Sequence, residues 1–138
     1  MFCVSKGNGG DSDKKMAIIP NSSYIWFKCE SGTGTLNSVK LNQWTHIVLT
    51  SVGNVYENGI EVLTITPGST ITGCTDLVVG ARAAVENVTS IAYPFEGKIS
   101  DVRIYATALT AEQVEELYNT SMSVDSNGNV YARELVEL

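Results

Sequence analysis

His46 carries the only imidazole in the chain, which makes it the one side chain that ordinarily titrates near neutral pH and suits a general base. No serine–aspartate arrangement around it supports a nucleophilic triad. Its place in the apolar run Trp44-Thr45-His46-Ile47-Val48-Leu49-Thr50 reads instead as a histidine of a sheet or core. The carboxylates offer little acid–base chemistry either: Glu57 and Glu61 flank a turn, Glu86 stands alone, and Glu112, Glu115 and Glu116 share one helical run. Asp11-Ser12-Asp13, in a glycine-rich stretch, presents two carboxylates and free carbonyls, the hard oxygen set that calcium takes. Lys14-Lys15 beside it opposes a cation, and the Gly-Asn-Gly-Gly-Asp string occurs once, where calcium-binding β-rolls need several copies. Tyr24 and Trp26 alternate with Ile25 and Phe27, so one face of that segment is aromatic, and a pyranose stacks its C–H face on such a surface. The plainer alternative has Trp26 covering a loop or a neighbouring strand.

The three cysteines, Cys3, Cys29 and Cys74, are odd in number and far apart, which allows at most one internal disulfide. Cys3 and Cys29 fall in strand-like runs, where a small buried thiol is the common outcome. No Cys-x-x-Cys pair exists, and one histidine gives zinc no ligand set.

Charge excludes further classes. A net charge of −6 with nine scattered Lys and Arg leaves no basic stripe, against the need of a nucleic-acid binder to displace counterions. No run of 18 apolar residues supports a membrane span. After Met1 come Phe2-Cys3-Val4 and then the polar Gly7–Asp11, which is no secretory leader. At 138 residues the chain has room for one domain, and such a chain buries about 68% of its unfolded surface.

The elements that would position these groups are short strands. Met1–Lys6, Met16–Pro20 and Tyr24–Cys29 read as strands, with Gly7–Asp13 a loop and Asn21-Ser22-Ser23 a turn. Glu30–Ser38 reads as a loop or loose hairpin. Val39–Leu41 and Trp44–Ser51 follow as strands, then a hairpin of Asn54–Tyr56 and Ile60–Thr66 closed by Asn58-Gly59, whose residues supply the positive φ values of a tight turn. Leu77–Ala81 is the next strand, Arg82–Tyr93 a long surface loop, and Pro94–Tyr105 the last long strand. It runs into a helix capped by Thr110, with Gln113 completing a capping box and Leu109 and Val114 at staple spacing. Glu112 sits in the first turn, where negative charge suits the helix dipole. A terminal hairpin turns at Ser126-Asn127-Gly128-Asn129.

Three ordered segments carry a resemblance. Gly97-Lys98-Ile99-Ser100-Asp101-Val102-Arg103-Ile104-Tyr105, followed by Ala108-Leu109-Thr110 and a short acidic helix, resembles the closing segment of laminin-G-like, concanavalin A-like jelly-roll domains. The Trp44–Thr50 strand with the Asn58-Gly59 hairpin, and Leu77-Val78-Val79-Gly80, resemble earlier strands of that family, in the same order. The likeness is good over residues 40–119 and looser over 1–39. It implies an all-β, antiparallel β-sandwich (jelly roll) with one short C-terminal helix and a terminal hairpin. Residues 1–119 would form the domain, with its N-terminal strands missing, and 120–138 an extra hairpin or docking tail.

The function implied is a non-catalytic module that binds a carbohydrate or glycoprotein, within a larger extracellular, cell-surface or phage tail protein. Glycosidases on this scaffold share a Glu-x-Asp-x-x-Glu strand with two carboxylates about 5 Å apart, and this sequence has none. Expected ligand contacts are Tyr24, Trp26, Arg82, Asn87 and Tyr93. Calcium is the one cofactor suggested, through Asp11, Asp13 and Asp101. Relatives place an aspartate where Ser100 stands here, which weakens that set, and an Asp101–Arg103 ion pair is the alternative. Val124–Glu134 resembles segments of bacteriophage tail proteins. Besides a glycan, neighbouring domains or chains are expected partners, with no nucleic acid and no membrane insertion. The rivals are an assembly module that binds only protein, and a divergent glycoside hydrolase.

Overall fold

The computed structural model describes residues 2–5, 14–37, 40–68, 76–83, 91–92, 94–128 and 130–132. The first four strands, β1 (Phe2–Ser5), β2 (Lys14–Pro20), β3 (Ile25–Cys29) and β4 (Gly32–Leu36), pair antiparallel in chain order. Next, β5 (Ile47–Leu49), β6 (Asn54–Glu57) and β7 (Ile60–Thr64) form a three-stranded antiparallel meander. Strand β8 (Asp76–Val79) then returns to pair with β1, so the larger sheet runs β4-β3-β2-β1-β8. Two small hairpins complete the strands: β9 (Arg82–Ala83) with β10 (Ile91–Ala92), and β11 (Met122–Val124) with β12 (Val130–Ala132). Helix α1 (Ala111–Ser121) lies between them in sequence. Among the described residues no helix is long and apolar enough to cross a membrane.

The core lies between the two larger sheets, and period-2 alternation decides which residues enter it. Ile25, Phe27 and Cys29 point inward from β3 and meet Leu49, Val55 and Ile65. Met16, Ile18, Leu36, Ile47 and Leu63 pack around that cluster. Gly32 and Gly34 occupy the inward positions of β4 because the second sheet is pressed against them. A Cβ at Gly32 would strike the Thr66 carbonyl, and one at Gly34 would sit 2.7 Å from a Leu63 methyl. Cys29 is a free, buried thiol lying 3.4 Å from the Ser51 carbonyl oxygen, its natural hydrogen-bond acceptor.

Helix α1 adds a partial third layer outside the meander. Thr110 and Gln113 form the reciprocal capping box that the spacing predicts, and Val114 is fully buried while Leu109 is half-buried. The Glu112 carboxyl is held below its usual range by its own backbone N–H and the Thr110 side chain, as a helix N-terminus favours. Tyr118 packs over Gly59, lying 3.3 Å from where a Cβ would stand.

Several elements differ from expectation. Pro94–Tyr105 contains no strand: Asp101 takes φ +51, which interrupts any extended run, and its carboxylate is tied to Arg103 two residues on. Ile99, Val102, Ile104 and Tyr105 are consequently exposed. Within Glu30–Ser38, expected as a loop or loose hairpin, the described residues form the hairpin: Glu30 and Ser31 turn, and Gly32–Leu36 pairs with β3 as β4, with room only for glycine at inward positions 32 and 34. The expected loop 82–93 contains the β9–β10 pairing, Ile91 opposite Ala83 and Ala92 opposite Arg82. The Trp44–Ser51 strand shortens to β5.

Candidate functional site

The outward face of β3 is built by the same alternation that fills the core. Trp26 is half-buried and in register with Ile19 on β2 and Thr35 on β4. Thr33 and Thr35, the outward partners of Gly32 and Gly34, are exposed beside it. Tyr24 is 36% exposed just before β3. The Asn21 side-chain amide donates to its hydroxyl at 3.0 Å, and the Asn21 backbone N–H donates to its carbonyl at 2.7 Å. The turn thus orients the tyrosine ring. Burial on this face deepens away from the β4 edge: Lys28 and Ala17 are buried, as is Val78 on β8. The open end of the face combines an indole, a phenol and a row of hydroxyls. Such a surface can stack a ring and exchange hydrogen bonds with it.

The expected ligand residues come together only in part. Tyr24 and Trp26 share this face. Arg82 lies on β9 with its side chain outside the described structure, and Asn87 and Tyr93 lie outside the described residues, as do Asp11 and Asp13. Asp101 lies where its charge acts on His46. Its Oδ1 accepts from Arg103 Nε at 2.7 Å. No group of three His, Cys, Asp or Glu side chains that could hold a metal ion forms among the described residues.

Sequence reasoning missed Thr33 and Thr35. The signal was present in the Gly-Thr-Gly-Thr alternation of residues 32–35, a period of two with the smallest residue on one side. It also missed a shallow groove of about 270 Å³ along α1, lined by Tyr105, Leu109, Gln113, Glu116, Leu117 and Thr120.

His46 serves architecture. Its backbone N–H donates to the Asn58 side-chain oxygen at 3.0 Å, and the Asn58 N–H returns a bond to its carbonyl at 2.8 Å. Its ring lies 6.0 Å from that of Tyr118, and Nδ1 is buried with no hydrogen-bond partner. Desolvation pushes its pKa below the ordinary 6.5; Asp101 partly opposes this and Arg103 adds to it. A histidine held neutral in the fold contributes stability that is complete above the unfolded-state value. That contribution is lost as pH falls from there through the folded-state value. The melting temperature is accordingly expected to drop between pH 7.5 and 5 more in the native chain than in His46→Gln. Equal drops in both would remove His46 as the cause.

Comparison with curated proteins returns no match, and comparison with solved structures returns none. A family model does match, described as Laminin_G_3 of the concanavalin A-like lectin/glucanases superfamily, over residues 4–115. The antiparallel sheets, the face-to-face core and the single capped helix agree with that match, and the chain belongs to the laminin G-like, concanavalin A-like family.

Proposed function

We propose that this domain is a non-catalytic binding module for a glycan or glycoprotein, within a larger extracellular, cell-surface or virion protein such as a phage tail. The observation that carries this reading is the open end of the β3 face, where Trp26 and Tyr24 stand beside the exposed hydroxyls of Thr33 and Thr35. Laminin G-like domains are generally non-catalytic, which favours binding over turnover. A pyranose would stack on the indole while its hydroxyls exchange hydrogen bonds with the threonines. Stacking of this kind gives modest affinity per site, which suits a module displayed in several copies.

A glycan array, run with and without calcium, tests the reading and the metal together. Trp26→Ala is expected to weaken any ligand found by roughly tenfold, about 1.4 kcal/mol, while costing less stability than emptying a fully buried position of the same strand. Undiminished binding by that variant would move the site off this face.

A second reading, an assembly module that binds protein neighbours, draws on the apolar side chains left exposed at Leu77, Val79, Val102 and Ile104. Oligomers formed without any glycan affinity would favour it.

A further inference from the structure

Two hairpins turn on the same dipeptide in different surroundings, Asn58-Gly59 between β6 and β7 and Asn127-Gly128 between β11 and β12. An asparagine followed by glycine is placed to react with its own backbone, because no Cβ hinders the glycine nitrogen as it approaches the asparagine Cγ. Asn58 is held away from that reaction. Its side-chain oxygen accepts the His46 N–H at 3.0 Å, and its own N–H donates to the His46 carbonyl at 2.8 Å. The Tyr118 side chain lies 3.3 Å from the point where a Gly59 Cβ would stand, so helix α1 covers this turn. At the other turn Asn127 and Gly128 are both exposed, and nothing lies within 4 Å of where a Gly128 Cβ would stand. The Asn127 N–H donates to the Asp125 carboxylate at 2.8 Å and the Gly128 N–H to the Asp125 carbonyl at 3.0 Å. Only the second bond has to open for the glycine nitrogen to attack, and an exposed turn opens cheaply.

We propose that Asn127 is a site of spontaneous modification, converting to aspartate and isoaspartate in the folded protein while Asn58 is protected. The Gly128 nitrogen, giving its proton to water, bonds to the Asn127 Cγ. The Cγ–Nδ2 bond then breaks, ammonia leaves, and a five-membered succinimide remains. Water adds at either carbonyl of the ring and opens it, so one water enters for the ammonia lost and nothing is oxidised or reduced. Either product adds a negative charge beside the Asp125 carboxylate, on a chain whose formal net charge is already −6. Isoaspartate also routes the main chain through the former side chain, which adds a methylene to the connection between Val124 and its partner Val130. A turn of altered length no longer fits that register, and the β11–β12 pairing loosens as the molecule ages.

Incubation of the intact chain at mildly alkaline pH, followed by peptide mapping with tandem mass spectrometry, decides it. In the folded protein Asn127 is expected to gain about 1 Da at least roughly tenfold faster than Asn58. In concentrated urea the two rates are expected to converge, since the dipeptide is the same. Asn127→Gln, which must close a six-membered ring, is expected to leave position 127 unconverted. Hydrogen exchange in β11 and β12 is then expected to be faster in aged native protein than in the aged variant. Equal rates at Asn58 and Asn127 in the folded protein, or conversion of Asn127 only after unfolding, overturns the inference. Equal exchange in the two aged proteins overturns its consequence for the hairpin. Asn8-Gly9, outside the described residues, falls on a separate tryptic peptide and does not enter the comparison. The contrast within the native chain needs no variant, so a misfolded Asn127→Gln does not shield the inference.

Discussion

Phe27→Ala is expected to lower the unfolding free energy by about 3–5 kcal/mol, the usual range for emptying an aromatic from a packed core. Phe27 is fully buried at the centre of the cluster formed by Ile25, Cys29, Leu49, Val55 and Ile65, so both sheets would border the cavity. A loss of that size is a large share of the roughly 5–15 kcal/mol that holds a domain together. The neighbouring Trp26→Ala makes the contrast, because its side chain leaves the opposite face and is half-buried. One strand should therefore give a folding variant and a binding variant at adjacent positions. Urea titration followed by far-UV circular dichroism measures the first. A loss below about 1 kcal/mol would mean that the sheets do not close over Phe27.

Gly53→Ala is expected to cost about 3 kcal/mol or more, through two causes that act together. Gly53 takes φ +94, a conformation that side-chain-bearing residues rarely adopt, and a Cβ there would collide with the Ile65 carbonyl oxygen. The collision cannot relax cheaply. The Gly53 N–H donates to the Thr50 carbonyl at 3.0 Å, and its own carbonyl accepts from the Ile65 N–H at 2.8 Å. This small turn thereby fixes the end of the meander against the core residue Ile65. Gly128→Ala is the control, since it shares a positive φ of +81 but has nothing within 4 Å of the added carbon. It is expected to cost only about 1 kcal/mol. Thermal melts of the pair decide the matter, and similar melting temperatures would show that the crowding at Ile65 does not hold.

What the sequence made legible was local. The alternation in Tyr24–Cys29 correctly assigned Ile25, Phe27 and Cys29 to the core, because a strand permits only two faces. Thr110 and Gln113 declared the helix start through side chains that bond backbone three residues away. Asn58-Gly59 marked its hairpin because both residues tolerate positive φ, here 51 and 82. The misreadings share a cause, which is that non-local packing set the outcome. The glycines of β4 look like loop residues until the opposing sheet occupies the space their side chains would need. Residues 98–105 have the composition of a strand, yet the left-handed Asp101 and its bond to Arg103 break the extended backbone. The candidate site was half legible for the same reason: its aromatics follow from alternation along one strand, whereas its hydroxyls arrive on the neighbouring strand.

The glycine–threonine alternation of β4 separates two jobs that most strands mix. Its inward positions are committed to fitting the opposite layer, while positions 33 and 35 have no share in that fit. Randomising those two codons should therefore yield a library whose members nearly all fold yet differ in what they display next to the indole. Diversification of specificity would then be cheap for this domain in a way that few positions in so small a protein allow.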